Sequence, residues 1–299
     1  AYDQRDRILK QLADEIGIRT IQLPGDDIEI YTDSGVTLFE KHPRTVAFNP
    51  TNAFSPTTGG GAVYVDGVAV TGSNAALPIK SGRLAGLSEL RDVTTVTYQT
   101  QMDELARGVI EAFAETDPGS PAALPPLTGL FTYSGEPNLP ASGVHYLGMA
   151  AEIRVNAAVD PAQGGSPALV RDGGINGAAY VQNTTGAAGF NDNILSHISE
   201  LSNPRTYDAA ATIDTSDSIT GYAASSVSWI EQTRSTVQQD ADYRATLKAH
   251  TAVTLSNATG VNVDEEMALL LELERSFEAS ARLISAIDQM YASLLQAAG

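Results

Sequence analysis

A chain of 299 residues with 42% hydrophobic content holds material for about two or three compact units. Its 36 acidic against 18 basic residues leave a net charge of -18, which argues against nucleic acid and against an anionic membrane surface, and no apolar run approaches the ~18 residues that cross a bilayer. The absence of cysteine excludes disulfides, catalytic thiols and sulfur-ligated metals.

In chain order, Arg5 to Ile16 places Ile8, Leu9, Leu12 and Ile16 on one face, with Gly17 as a stop, and reads as a short amphipathic helix. The runs Ile18 to Leu23 and Asp27 to Tyr31 flank Pro24-Gly25-Asp26, and Val36 to Phe39 follows Asp33-Ser34-Gly35, which predicts a small antiparallel meander. A further strand pair is expected in Gly61 to Val70 around Asp66-Gly67. Gly59 to Gly61 lack the Lys and Ser/Thr of a phosphate loop and read as a flexible loop.

From Ser81 the pattern is helical, with Leu84, Leu87 and Leu90, then Tyr98, Met102, Leu105, Val109 and Phe113. The β-branched stretch Val93 to Val96 predicts two helices set at an angle. Between Pro118 and Pro167 lie eight of the fourteen prolines. Residues Asp117 to Phe190 therefore read as an irregular β-containing insert, with a strand at Met149 to Val159 and a second at Ala178 to Gln182.

Asn191 and Asp192 offer a cap for a helix through Ile194, Leu195, Ile198 and Leu201, ended by Pro204. Ser218 to Ser256 is rich in Ala, Ser, Thr and Gln, as in one helix of a slim bundle, with Trp229 as its core or rim anchor. The last forty residues form the strongest pattern. Asn262 is a cap with Glu265 three residues on, and the helix from Val263 to Ala297 would run roughly 50 Å. Steps of three and four land on Leu270, Leu273, Phe277, Ser280, Ile284, Ile287, Tyr291 and Leu294, a heptad seam that only Ser280 interrupts.

Within that helix NVDEEM, SFEASARLIS and AIDQMYASLL resemble the C-terminal segment of bacterial flagellar axial proteins: rod, hook and hook-associated proteins. RDRILKQLADEIGIRT at Arg5 to Thr20, SGRLAGLSELRDVTTVTYQTQMDELARGVIEAF at Ser81 to Phe113 and NPRTYDAAATIDTSD at Asn203 to Asp217 resemble the FlgK family of hook-associated proteins, which form the first hook-filament junction. Family members begin with a long helical region that pairs with the terminal helix, whereas this sequence opens at Ala1 as the end of a helix already under way, so the seam is expected to be unpaired here.

The resemblance implies a structural subunit exported without a cleaved signal peptide to the extracellular flagellum. Its implied partners are like subunits, hook protein, the second hook-filament junction protein and an export chaperone on the terminal helix. Self-assembly is expected through Leu270, Leu273, Phe277, Ile284, Ile287, Tyr291 and Leu294. The expected fold is α+β, an elongated helical bundle with a β meander, a β-containing insert and a coiled-coil-like terminal helix. It divides into a helical body (1–116 and 191–260), the insert (117–190) and the assembly helix (261–299).

No catalytic, cofactor or metal residues are expected. His42, His145, His197 and His250 form no ligand motif and read as solvated surface. Glu265 and Glu266 point about 100° apart on a helix and cannot work as an acid/base pair. Asp172 to Gly177 lacks the later acidic ligands of a calcium loop and reads as a Gly-rich turn, and no nucleophile elbow occurs. The alternatives are a rod or hook axial protein, a carbohydrate-binding or adhesive insert, for which Phe131, Tyr133, Tyr146 and Tyr180 are too few and too dispersed to suggest an aromatic cluster, and a hydrolase of unfamiliar fold.

Overall fold

The computed structural model describes residues 2–25, 27–259 and 263–298. Helix α1 (Tyr2–Glu15) turns its Leu12 inward and ends at buried Ile16. At Gly17 an added Cβ would collide with Ser81 and Asp33, because the chain is tied there on both sides: Gly17 N–H donates to Ser81 O (2.8 Å) and Asp33 N–H to Gly17 O (2.9 Å).

The expected meander forms as an antiparallel sheet in sequence order, β1 (Ile18–Gln22), β2 (Ile28–Thr32), β3 (Thr37–Glu40) and a short β4 (His42–Pro43). Register runs from Ile18 opposite Thr32 to Gln22 opposite Ile28. Of the expected turn, Asp26 lies outside the described residues. A second sheet joins β5 (Val46–Phe48), β6 (Val63–Val65) and β7 (Val68–Ala69). Asp66 and Gly67 both take positive φ (46° and 82°), the primed-turn backbone that the Asp-Gly pair favours. One core of Ile16, Val36, Val65, Val70 and Ile79 unites α1 with both sheets and Leu84.

The two helices expected after Ser81 are α2 (Arg83–Glu89) and α3 (Thr95–Ala112), but no break separates them. Residues Leu90–Thr94 form a π-helical turn instead, so the β-branched stretch widens the helix locally where a break was expected.

Helix α3 is buried through polar side chains, among them Gln101, Asp103, Glu104 and Arg107. Burying such groups is tolerable only when each is hydrogen-bonded, and each one here grips a distant segment. Gln101 donates to Ala211 O (3.0 Å) and accepts from Ser226 Oγ (2.8 Å). Asp103 accepts Gly148 N–H (2.8 Å) and Ala150 N–H (2.9 Å). Glu104 accepts Asp208 N–H (2.8 Å) and pairs with Arg107, which donates to Glu111 and to Thr206 O. Just past α3, Glu115 accepts the N–H groups of Gly174, Ile175 and Asn176 (2.5, 2.7 and 2.6 Å). The Gly-rich turn read at Asp172 to Gly177 is thus a cradle for a carboxylate of the same chain.

In the insert only β8 (Phe131–Thr132) and its partner β9 (Arg154–Val155) are strands. The strand expected at Met149 to Val159 is corrected: α4 (Met149–Glu152) opens it, since the Asp103 carboxylate collects the free N–H groups at that helix start. The strand expected at Ala178 to Gln182 is also corrected, to a 3-10 turn over Ala178–Tyr180 after α5 (Ala168–Asp172). Met149 and Tyr133 pack on Ala106 and Ile110 of α3, so the insert supplies part of the core.

Helix α6 (Asp192–Glu200) follows, capped at the position of Asn191, whose side chain makes no cap bond. Strands β10 (Arg205–Thr206) and β11 (Ser216–Asp217) lead into α7 (Ile219–Thr259), and the chain closes with α8 (Val263–Ala298). Tyr207 and Tyr222 stack at 3.8 Å between ring centroids in a third core with Ala211. The α+β chain forms two compact units, residues 1–232 and 233–299. Trp229 is half-buried, and every residue from Arg234 to Asn257 is exposed, so no bundle partner covers that stretch among the described residues.

Candidate assembly surface

Helix α8 is built from strong helix formers with Asp264, Glu265 and Glu266 in its first turn, where the dipole favours negative charge. The expected cap, Asn262, and the break at Gly260 lie outside the described residues. Every residue from Asp264 to Leu294 is exposed. The seven apolar seam residues range from 46% exposure at Ile287 to 78% at Phe277, so the seam is open end to end.

Three further exposed side chains widen it. Leu269, Leu283 and Met290 each precede a first core position (Leu270, Ile284, Tyr291) by one residue, and they add a third apolar column beside the two expected. Two columns suit one partner helix, while three suit a helix enclosed by more than one neighbour. Full burial of the seven seam residues would contribute about 10–20 kcal/mol before ordering entropy is charged against it. The fixed heptad spacing made the first two columns readable in sequence. The third was missed because Ser276 interrupts its repeat.

Elsewhere two histidine readings are corrected. His42 and His250 are exposed as expected, but His197 is buried, stacked on Phe113 at 5.2 Å with Nδ1 3.1 Å from Ala112 O. His145 is mostly covered, its Nε2 3.2 Å from Asp103 Oδ2. Both sit where α3 and its end offer acceptors that only tertiary structure brings near. Tyr133 and Tyr146 meet edge to face at 5.5 Å, whereas Phe131 pairs with Phe113 and Tyr180 is buried with its hydroxyl on Pro125 O. The four insert aromatics therefore make no common platform.

The ionised core is tightly matched. Burial raises the Glu111 carboxyl above the usual range despite Arg107 and Arg205 beside it. Burial acts to lower the Arg107 guanidinium, but its hydrogen bonds to Glu104 and the charge of Glu111 outweigh this and hold it above its ordinary value. Among the described residues no cluster of His, Asp or Glu is placed to hold a metal, and no helix is long and apolar enough to cross a membrane.

The α+β chain closes on a long, solvent-open amphipathic helix. Residues 1–117 match the flagellar hook-associated protein FlgK helical domain, and residues 256–297 match the flagellar basal body rod FlgEFG protein C-terminal region. Both are structural families, neither an enzyme family, and the chain is a structural component of the flagellum. Within that class it is a FlgK-like flagellar hook-associated protein, the helical-domain match spanning α1 to α3. No curated protein and no solved structure matches the chain.

Proposed function

We propose that the chain is a hook-filament junction adaptor that assembles with like subunits, with hook protein on one side and the second junction protein on the other. The observation that supports this reading is the open seam of α8, at Leu270, Leu273, Phe277, Ile284, Ile287, Tyr291 and Leu294. Apolar area on this scale seeks cover, and a helix holds its form best when packed. Before assembly an export chaperone covers this helix, and the subunit reaches the cell exterior without a cleaved signal peptide. Residues 1–116 and 191–260 act as the body, 117–190 as the outer insert and 261–299 as the assembly helix.

A rod or hook axial protein is the second reading, favoured by the match over residues 256–297. The longer match over residues 1–117 favours the junction protein. The test is light scattering on the full chain and on a chain ending at Asn257, with and without purified hook and second junction proteins. Binding by the full chain alone upholds the adaptor. Equal inertness of both forms overturns it, and binding to hook protein but not to the junction protein favours the second reading.

A further inference from the structure

Asn176-Gly177 is the one Asn-Gly pair in the sequence. Glycine leaves the peptide nitrogen uncrowded, because no Cβ stands where the asparagine side chain must swing. In an open chain that nitrogen attacks the side-chain amide. The bond from Gly177 N to Asn176 Cγ forms, the Cγ–Nδ2 bond breaks, and ammonia leaves with the proton from Gly177 N. Water then opens the cyclic imide. Cleavage at Cγ gives aspartate and cleavage at the main-chain carbonyl gives isoaspartate, so the net change is amide plus water to acid plus ammonia.

The fold engages every group in this reaction. Asn176 Nδ2 donates to Glu115 Oε2 (2.9 Å) and to Thr128 O (2.7 Å), and rotating Cγ onto the Gly177 nitrogen would break both bonds. Gly177 N–H donates to Gly174 O (3.1 Å), which occupies the attacking nitrogen. Asn176 N–H rests on Glu115 Oε2 as well (2.6 Å), so backbone and side chain of one residue are clamped by one carboxylate. Gly177 is exposed and Asn176 half-buried, so water and base reach the pair, and hydrogen bonding supplies the protection that burial does not. We propose that Asn176 is a fold-gated deamidation site, locked by the Glu115 carboxylate and open whenever the loop leaves it.

The product does not fit the lock. Glu115 is only 5% exposed. Aspartate at 176 would set a second carboxylate beside it in place of a donor, and Thr128 O would lose its partner. Isoaspartate further inserts a methylene between the N–H groups of residues 176 and 177, which spoils the turn closed on Gly174 O. A converted loop therefore no longer seats on the end of α3, and the pair records time that the chain has spent open. This holds whatever the chain assembles with, so its failure leaves the adaptor reading untouched.

The test is peptide mapping by mass spectrometry on the full chain aged in mildly alkaline buffer, reading amide-to-acid conversion at Asn176 with Asn156 as internal reference. Conversion at Asn176 should be several-fold faster in the guanidinium-unfolded parent than in the folded parent. Glu115→Gln keeps one acceptor oxygen and should raise the folded rate at Asn176 several-fold while leaving Asn156 unchanged. Glu115→Ala should raise it further. Where the alanine variant does not fold, the glutamine variant carries the comparison, with circular dichroism checking its fold. Asn176→Asp reproduces one product and should melt below the parent. Equal rates in folded and unfolded parent, no rise in Glu115→Gln or one matched at Asn156, or a parent-like melting temperature for Asn176→Asp overturns the proposal.

Discussion

Replacing Glu115 by alanine should unlock the insert from the end of α3. The carboxylate accepts from Gly174, Ile175 and Asn176 N–H and also from Asn176 Nδ2 (2.9 Å). Asn176 Nδ2 keeps its bond to Thr128 O, so the alanine variant strands mainly the three backbone donors. An unsatisfied buried donor costs about 1–3 kcal/mol, and partial hydration of this half-buried loop holds the total to about 3–5 kcal/mol. For a unit of residues 1–232 that corresponds to a fall in Tm of roughly 6–20 °C. Glu115→Gln should fall between parent and alanine, because one oxygen still accepts while its amide hydrogens oppose the loop donors. Urea unfolding followed by circular dichroism measures both. An alanine variant within about 1 kcal/mol of the parent would mean that the loop does not depend on the carboxylate.

Other expectations concern single positions. Asp172 is held down to about 2 by hydrogen bonds from Arg171 and then Asn183. A depressed carboxyl stabilises the fold above its ordinary value of 3.8 and loses that contribution as pH falls toward about 2. Asp172→Asn should therefore flatten the acid limb of stability in that window, and an unchanged limb in urea titrations would refute this. Tyr222 Oη is buried with no partner among the described residues. Tyr222→Phe should thus leave stability unchanged or raise it by up to about 1 kcal/mol, while a loss of that size would reveal a bound water. Gly82 sits at φ 89° with an added Cβ 2.7 Å from backbone atoms of Glu15 and Ile16, whereas the Cβ space at Gly86 in α2 is open. Gly82→Ala should cost more than about 2 kcal/mol and Gly86→Ala should gain about 0.5–1 kcal/mol, and thermal melts giving the two the same sign would contradict the geometry.

Elements with strong local signals were legible in sequence. Helix α1, the meander, the Asp66-Gly67 hairpin and the long helix α8 each carry their own periodicity or turn chemistry, and each forms where expected, although Ile8 of the expected α1 face is 53% exposed. The insert did not, because its structure is imposed by remote partners. Met149 to Glu152 is helical because Asp103 collects the N–H groups of Gly148 and Ala150, and neither segment announces the other. Helix α6 shows the same limit from the other side. Its hydrophobic period was read correctly, but which face turns inward was decided by Asn193 and His197. The seam of α8 was legible as a repeat, yet its third column was visible only once the exposure of Leu283 and Met290 was known.

The grip of α3 on remote segments has a consequence for the order of events during folding. Its side chains close loops of 45 residues to Gly148, 104 to Asp208 and 125 to Ser226. Closure entropy rises only slowly with loop length, but each loop must be shut before its bond is gained, which makes such topologies slow. Until Ser226 is present, part of α3 carries polar groups with nowhere to go except water. A chain released from its N-terminal end first can close the core around Ile16 and Val65 early, but the grip of α3 stays open until nearly all of the first unit has emerged.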